Sequence, residues 1–143
     1  MEKDITTDEL LARLFKATQL NDVLENEDIT QPPLFHEYLR QLCRDRGEVA
    51  ERVIKRAGID RTYGHQLFSG RRKPSRDKVI QLAFGFGLDV EETQQLLKSA
   101  RHTALYPKIK RDAAIIYCLA RNMEIAGAQD LLADFELSVL GIE

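Results

Sequence analysis

Between Asp60 and Gly70 the chain has room for a helix of barely two turns, and its neighbours must hold that helix in place. Asp60 suits an N-cap, because its carboxylate can accept from the free N–H groups of a first turn. Gly70 suits a stop, since it takes the left-handed conformation that closes a last turn. So short a helix is not stable alone and takes its stability from what it packs on. At about 100° per residue, Gly64, Leu67 and Phe68 fall on one side. Thr62, Gln66 and Ser69 fall on the opposite side, flanked by His65 and Arg61. Four cations follow: Arg71, Arg72, Lys73 and Arg76.

Neutral hydrogen-bonding groups and an arginine on a short helix, with cations past its end, suit a major groove flanked by phosphates. The charge distribution points the same way. The net charge is only −2, but residues 36–78 hold 12 basic and 6 acidic groups, against 3 and 8 in residues 1–35 and 6 and 9 in residues 79–143. A chain of this balance is not a wholly basic nucleic-acid binder, so one face must supply the affinity.

Several classes of function find no support. A length of 143 residues suits one domain, or one with an appended subdomain. No run of 18 apolar residues occurs and no charged-then-apolar leader opens the chain. The expectation is a soluble, unexported, cytoplasmic protein without a membrane partner. Cys43 and Cys118 each sit in an apolar helical pattern and read as reduced core thiols, with a disulfide or redox switch as the lesser reading. His36, His65 and His102 lack a second ligand at helical spacing, and no Cys-x-x-Cys occurs, so no metal or other cofactor is expected. No catalytic constellation stands out, and an enzyme is not expected. Gly85-Phe-Gly87 matches part of a phosphate-binding loop, but no strand precedes it and the third glycine is missing; a helix ending at Gly87 explains it better.

The first 33 residues read as an acidic helical arm with a connector. Thr6 and Glu9 stand at capping-box spacing, and Leu10, Leu11, Leu14 and Phe15 form an apolar stripe. A break is expected near Leu20-Asn21-Asp22, then a short acidic turn and an extended connector, Ile29-Thr30-Gln31-Pro32-Pro33. The arm's acidity suits covering the basic face, meeting a partner protein, or plain solvation of a helix packed on the core.

From Leu34 the spacing tightens. Phe35, Tyr38, Leu39, Leu42 and Cys43 predict one helix, with Arg40, Arg44 and Arg46 outside and Gly47 ending it. Val49, Val53, Ile54 and Ala57 predict a second, ending at Gly58. With the Asp60 helix this makes helix, tight turn, helix. Residues 34–100 resemble the XRE/Cro-type helix-turn-helix domain of the lambda-repressor-like group. Val53, Ala57, Gly58, Ile59 and Leu67 sit where that family places buried residues and its turn glycine. Gly70-Arg-Arg-Lys-Pro74 is similar to its exit from the recognition helix, and residues 78–90 are similar to its fourth helix and the start of its fifth. The resemblance implies an all-α, five-helix DNA-binding fold. It puts Arg61, Thr62, Tyr63 and Gln66 where base edges or nearby phosphates are met. Two positions depart from the pattern. Ala50 stands where a polar phosphate contact is usual, and the small and β-branched residues facing each other across the two helices are exchanged, as Ile54 and Gly64.

The last third holds an internal repeat. Residues 76–97 align with residues 111–132, 35 positions on, with Arg, Asp, Ile, Gln and a Leu-Leu pair identical. Each copy reads as a helical hairpin: a first helix ends at Gly87 or Asn122, an apolar Leu88 or Met123 follows, and Asp89 or Glu124 caps the second. Two such hairpins bury their apolar faces by stacking, with Tyr106-Pro107 as the joint. The apolar run 113–120 predicts a helix buried on most sides, by the core or by a second subunit. With the two-fold geometry usual for operators, it points to a symmetric dimer.

The expected organisation is an arm at 1–33, a helix-turn-helix domain at 34–103 and a C-terminal hairpin at 104–143 packed on it. The expected function is a sequence-specific regulator of transcription on double-stranded DNA, of prokaryotic or phage repressor type. Arg61, Thr62, Tyr63, His65, Gln66 and Ser69 would form its helix face, and Arg71, Arg72, Lys73 and Arg76 its phosphate contacts. The alternative is an adaptor or anti-repressor that keeps the fold and binds a protein through the arm or the repeat hairpin.

Overall fold

Nine helices and no strand form among the described residues, 5–26, 29–31 and 33–141, of the computed structural model, so the fold is all-α. Two compact units divide the chain, Met1–Pro32 and Pro33–Glu143.

In the first unit α1 (Thr7–Lys16) and α2 (Leu20–Leu24) pack on each other. Thr6 Oγ1 accepts from the Glu9 N–H at 3.2 Å and caps α1. No residue of α1 is buried, and Phe15 is 81% exposed. The break expected at Leu20 to Asp22 lies one turn earlier, where Ala17 goes extended. Leu20, Asn21 and Asp22 instead open α2, helped by an acid in its first turn and by Asn21 Nδ2 donating to Glu25 Oε1 at 3.4 Å. Glu27 and Asp28 of the expected acidic turn, and Pro32 of the connector, lie outside the described residues.

The second unit holds α3 (Phe35–Arg46), α4 (Ala50–Arg56), α5 (Arg61–Ser69), α6 (Arg76–Phe86), α7 (Val90–Ser99), α8 (Lys110–Ala120) and α9 (Ile125–Asp134). The helix α6 runs through the middle. Every residue from Val79 to Phe86 is buried, and α4, α7 and α9 all touch it. Ile54 and Gly64 meet where α4 crosses α5. A Cβ on Gly64 would lie 2.7 Å from Ile54 Cγ1 and 2.9 Å from Cδ1, so the exchanged sizes are one packing pair. Cys43 and Cys118 are free thiols, and burial raises the pKa of each. No described helix is long and apolar enough to cross a membrane, and no cluster of metal-ligating side chains occurs among the described residues.

The repeat is built as two hairpins, α6–α7 and α8–α9, wired alike. Gln94 closes on the backbone of Leu105, accepting from its N–H at 2.7 Å and donating to its carbonyl at 2.9 Å. Gln129, 35 positions on, does the same to Leu140 at 2.7 and 2.8 Å. Left-handed residues recur at the same interval, Gly87 with Asn122 and Arg101 with Glu136. The arginines and aspartates cross over. Arg76 forks onto Asp112 at 2.9 and 3.1 Å and donates to the carbonyls of Thr103 and Ala104. Arg111 forks onto Asp77 at 2.8 and 2.9 Å and donates to the carbonyls of Ser138 and Val139. Asp112 also accepts from the Tyr106 N–H, and Asp77 from the Gly141 N–H. Each arginine thus takes carbonyls from its own hairpin and a carboxylate from the other, an arrangement of approximate two-fold symmetry.

Burial pushes both aspartates up, but hydrogen bonds from the facing arginine and a backbone N–H, with the arginine charges, outweigh it and leave both below the ordinary value. The copies are not identical. Asp89 and Glu92 complete a capping box on α7, whereas Glu124 makes no side-chain cap on α9. And α8, expected to be buried on most sides, buries only Asp112, Ile115, Cys118 and Leu119 within this chain. Ala113 and Ile116 are half-buried, and Tyr117 and Ala120 are exposed.

Candidate nucleic-acid interface

Asp60 caps α5 through the Tyr63 N–H at 3.1 Å, and Gly70 closes it with φ of 84°. Gly70 is doubly constrained, because a Cβ there would also fall 2.7 Å from His36 Nδ1 on α3. Leu67, Phe68 and Gly64 are buried, which turns the opposite face outward: Arg61, Thr62, His65 and Ser69 are exposed, and Tyr63 and Gln66 half-buried.

That face is organised by its neighbours. Glu51 on α4 pairs with Arg61, Nε to Oε1 at 2.6 Å, and lies 3.8 Å from His65 Nε2. Hydrogen bonding and charge from Arg61 hold the Glu51 carboxyl below the usual carboxylate range. The Ser69 hydroxyl donates to the Gln66 carbonyl at 3.2 Å. After Gly70 the chain folds back, so the N–H groups of Arg71 and Arg72 both donate to that carbonyl, at 3.0 and 3.3 Å. Arg72 Nε donates to Gln66 Oε1 at 2.6 Å, and its guanidinium carbon lies 5.0 Å from the centre of the Tyr63 ring. Lys78 Nζ lies 5.6 Å from the same ring. Arg71, Arg72 and Lys73 are exposed, and the end of their loop is tied down by His102 Nε2, 2.8 Å from the Pro74 carbonyl. Arg40 on α3 reaches the end of α5, donating from Nε to the Phe68 carbonyl at 3.2 Å.

The structure therefore gathers Arg61, Thr62, Tyr63, His65, Gln66, Ser69, Arg71, Arg72 and Lys73 on and just past α5, and separates Arg76 from them. Read from sequence as the fourth phosphate-contacting cation, Arg76 instead spends its guanidinium on Asp112 and two carbonyls. Two further residues shape the face, Glu51 and Lys78. Neither carries a local signal, because each matters only through a helix crossing that brings it to Arg61 or Tyr63.

A short capped helix, buried on one side against the preceding helix and polar on the other, now has a counterpart among known families. Residues 35–96 match the model of a helix-turn-helix domain. No curated protein and no solved structure matches the chain. The matched stretch runs from the start of α3 into α7. Within the matched stretch α4 and α5 are the pair joined by the tight turn, and α5 carries the outward polar face.

Proposed function

We propose that the protein is a sequence-specific regulator of transcription of the XRE/Cro type, non-enzymatic and cytoplasmic, that lays α5 in the major groove of duplex DNA. The observation that carries this reading is the single face joining the outward side of α5 to the Arg71, Arg72 and Lys73 loop. Neutral groups on Thr62, Gln66 and Ser69 can meet base edges while cations a few ångströms past the helix end meet phosphates. Arg61 serves as a second reader or clamp, and Tyr63 packs on the sugar-phosphate wall. Within the proposal, residues 1–33 form an arm, 34–103 the DNA-binding domain and 104–143 a hairpin that completes it. A second copy of the chain sits on the open side of α8, where Tyr117 is 47% exposed. Sedimentation at micromolar concentration tests that; a monomer with and without DNA removes the dimer.

A second reading, an adaptor that binds a protein instead, draws on two observations: Glu51 places a carboxylate beside Arg61, and Leu11, Leu14 and Phe15 of α1 are exposed. Titration against the protein's own upstream DNA and a scrambled duplex, at several salt concentrations, separates the two. A regulator shows a preferred duplex and a linear fall of log affinity with log salt. Loss of all duplex binding near physiological salt, with a protein partner retained, leaves the adaptor.

A further inference from the structure

The bond between Gln66 and Arg72 determines which half of the Gln66 amide faces outward. A guanidinium has only N–H donors and no acceptor, so the atom of Gln66 that meets Arg72 Nε at 2.6 Å must be the carbonyl oxygen. Chemistry, rather than a choice between two look-alike atoms, sets the orientation.

Arg72 is itself held. Its main-chain N–H donates to the main-chain carbonyl of Gln66, and its guanidinium lies against the Tyr63 ring, which Lys78 also approaches. Lys78 Nζ donates to Gln81 Oε1 at 3.2 Å, and Gln81 Nε2 donates to the Ala57 carbonyl at 3.2 Å, at the turn that feeds α5. The loop cation is thus linked, contact by contact, to the end of α4.

An unencumbered glutamine offers an acceptor and donors side by side, the combination that matches the N6 amino group and N7 of adenine. Here the acceptor is engaged. An amino group approaching that oxygen for its second lone pair meets the guanidinium already there, donor against donor. What remains for a base is the Nε2 amino group, and guanine offers it two acceptors, O6 and N7.

We propose that Arg72 is a specificity-determining positioning residue: by occupying the Gln66 oxygen it makes Gln66 a donor-only reader, which favours guanine over adenine at the base pair Gln66 meets. This rests on the DNA-binding reading above, and it separates Arg72 from Arg71. Arg71 sets how tightly any duplex is held, whereas Arg72 also sets which base is preferred.

Selection from a randomised duplex library, read by sequencing, tests this with the full chain and its Gln66→Ala, Arg72→Ala and Arg71→Ala variants. The base pair under Gln66 is the one whose preference vanishes in Gln66→Ala. At that pair the unaltered protein should favour guanine over adenine roughly tenfold, within the range for one good base contact. In Arg72→Ala the ratio should fall to about twofold or invert, as the freed oxygen restores the adenine match. Arg71→Ala should bind more weakly with the ratio unchanged. Adenine preferred by the unaltered protein, no pair responding to Gln66→Ala, or the same ratio in Arg72→Ala each overturns the inference while leaving DNA binding intact. A library from which the unaltered protein enriches nothing overturns the regulator reading, and this inference with it.

Discussion

Arg72 and Arg76 stand four positions apart in one basic run, yet they have opposite surroundings. Arg72 is exposed on a loop, held by a neutral amide and an aromatic ring, with no carboxylate partner among the described residues. Arg76 is bound by a carboxylate that is itself only 4% exposed, and its side chain lies at the junction of two hairpins. A cation's neighbours in sequence say that it is one of a cluster; its neighbours in space say what the charge is for. The loop cation is available to a polyanion, and the junction cation is part of the fold.

The largest test of this contrast removes the junction. Asp112→Ala leaves the Arg76 guanidinium without its counter-charge and should cost about 3 kcal/mol of stability, the range for breaking an enclosed pair. Urea unfolding measures it, and a loss under about 0.5 kcal/mol would mean that Arg76 is as dispensable as a loop residue.

Gly64 and Thr62 give the corresponding test across α5. Gly64→Ile should overpack against Ile54 and cost about 1–3 kcal/mol, part of it recovered by adding Ile54→Ala. Thr62→Ala, on the outer face, should stay within about 0.5 kcal/mol of the parent. Strictly additive effects of the Ile54 and Gly64 changes would show that the pair does not share one space.

Acid should act on the junction too. Asp77 and Asp112 have depressed pKa values in the fold, so the stability they contribute is fully present above the unfolded aspartate value of about 3.9. It is lost as pH falls through their lower folded values. Melting curves between neutral pH and pH 3 should therefore show the parent falling toward an Asp77→Asn, Asp112→Asn variant. A gap that widens on acidification has the wrong sign for this account.

On the loop, Arg71→Ala should leave stability nearly unchanged and flatten the salt dependence of duplex binding by roughly one unit. Arg76→Ala should do the reverse, with any slope change absent once the folded fraction is corrected for. The smallest effect is expected at Glu51. Glu51→Gln removes one negative charge from the α5 face and should raise non-specific duplex affinity by a few-fold at low salt, fading as salt screens it. A fall in affinity would mean that holding Arg61 in place matters more than the charge removed.

What could be read from sequence was local. Asp60 and Gly70 bracket α5 because caps and stops act within a turn, and the two sides of that helix follow from its pitch. The 35-residue repeat was legible as identities, among them Arg76 with Arg111 and Asp77 with Asp112. Their exchange of partners was not, because Asp112 lies 36 positions beyond Arg76 and only the packing of α6–α7 on α8–α9 brings them together. Glu51 escaped notice for the same reason. Gln66 and Arg72 are only six positions apart, but they meet because the chain turns back at a left-handed Gly70, which places the loop over the helix it has just left. What covers α8 was not legible either: composition shows that a helix is apolar, not how many of its sides one chain can cover.

The crossed arginines have a consequence for how the protein comes into being. Neither hairpin completes its own wiring, since Arg76 awaits Asp112 and Asp77 awaits both Arg111 and the Gly141 N–H. During synthesis α5 and its loop emerge long before the clasp formed by Arg76, Asp77, Arg111 and Asp112 can shut. The helix that begins one residue past Ser75 is then anchored only by its neighbours until Arg111 and Asp112 have emerged, and its Asp77 gains the last bond only with Gly141. A nascent chain stalled between 112 and 137 can close both arginine forks but still lacks the Ser138 and Val139 carbonyls for Arg111 and the Gly141 N–H for Asp77, a half-latched intermediate in which the α5 face is already made but one side of its clasp is unfinished.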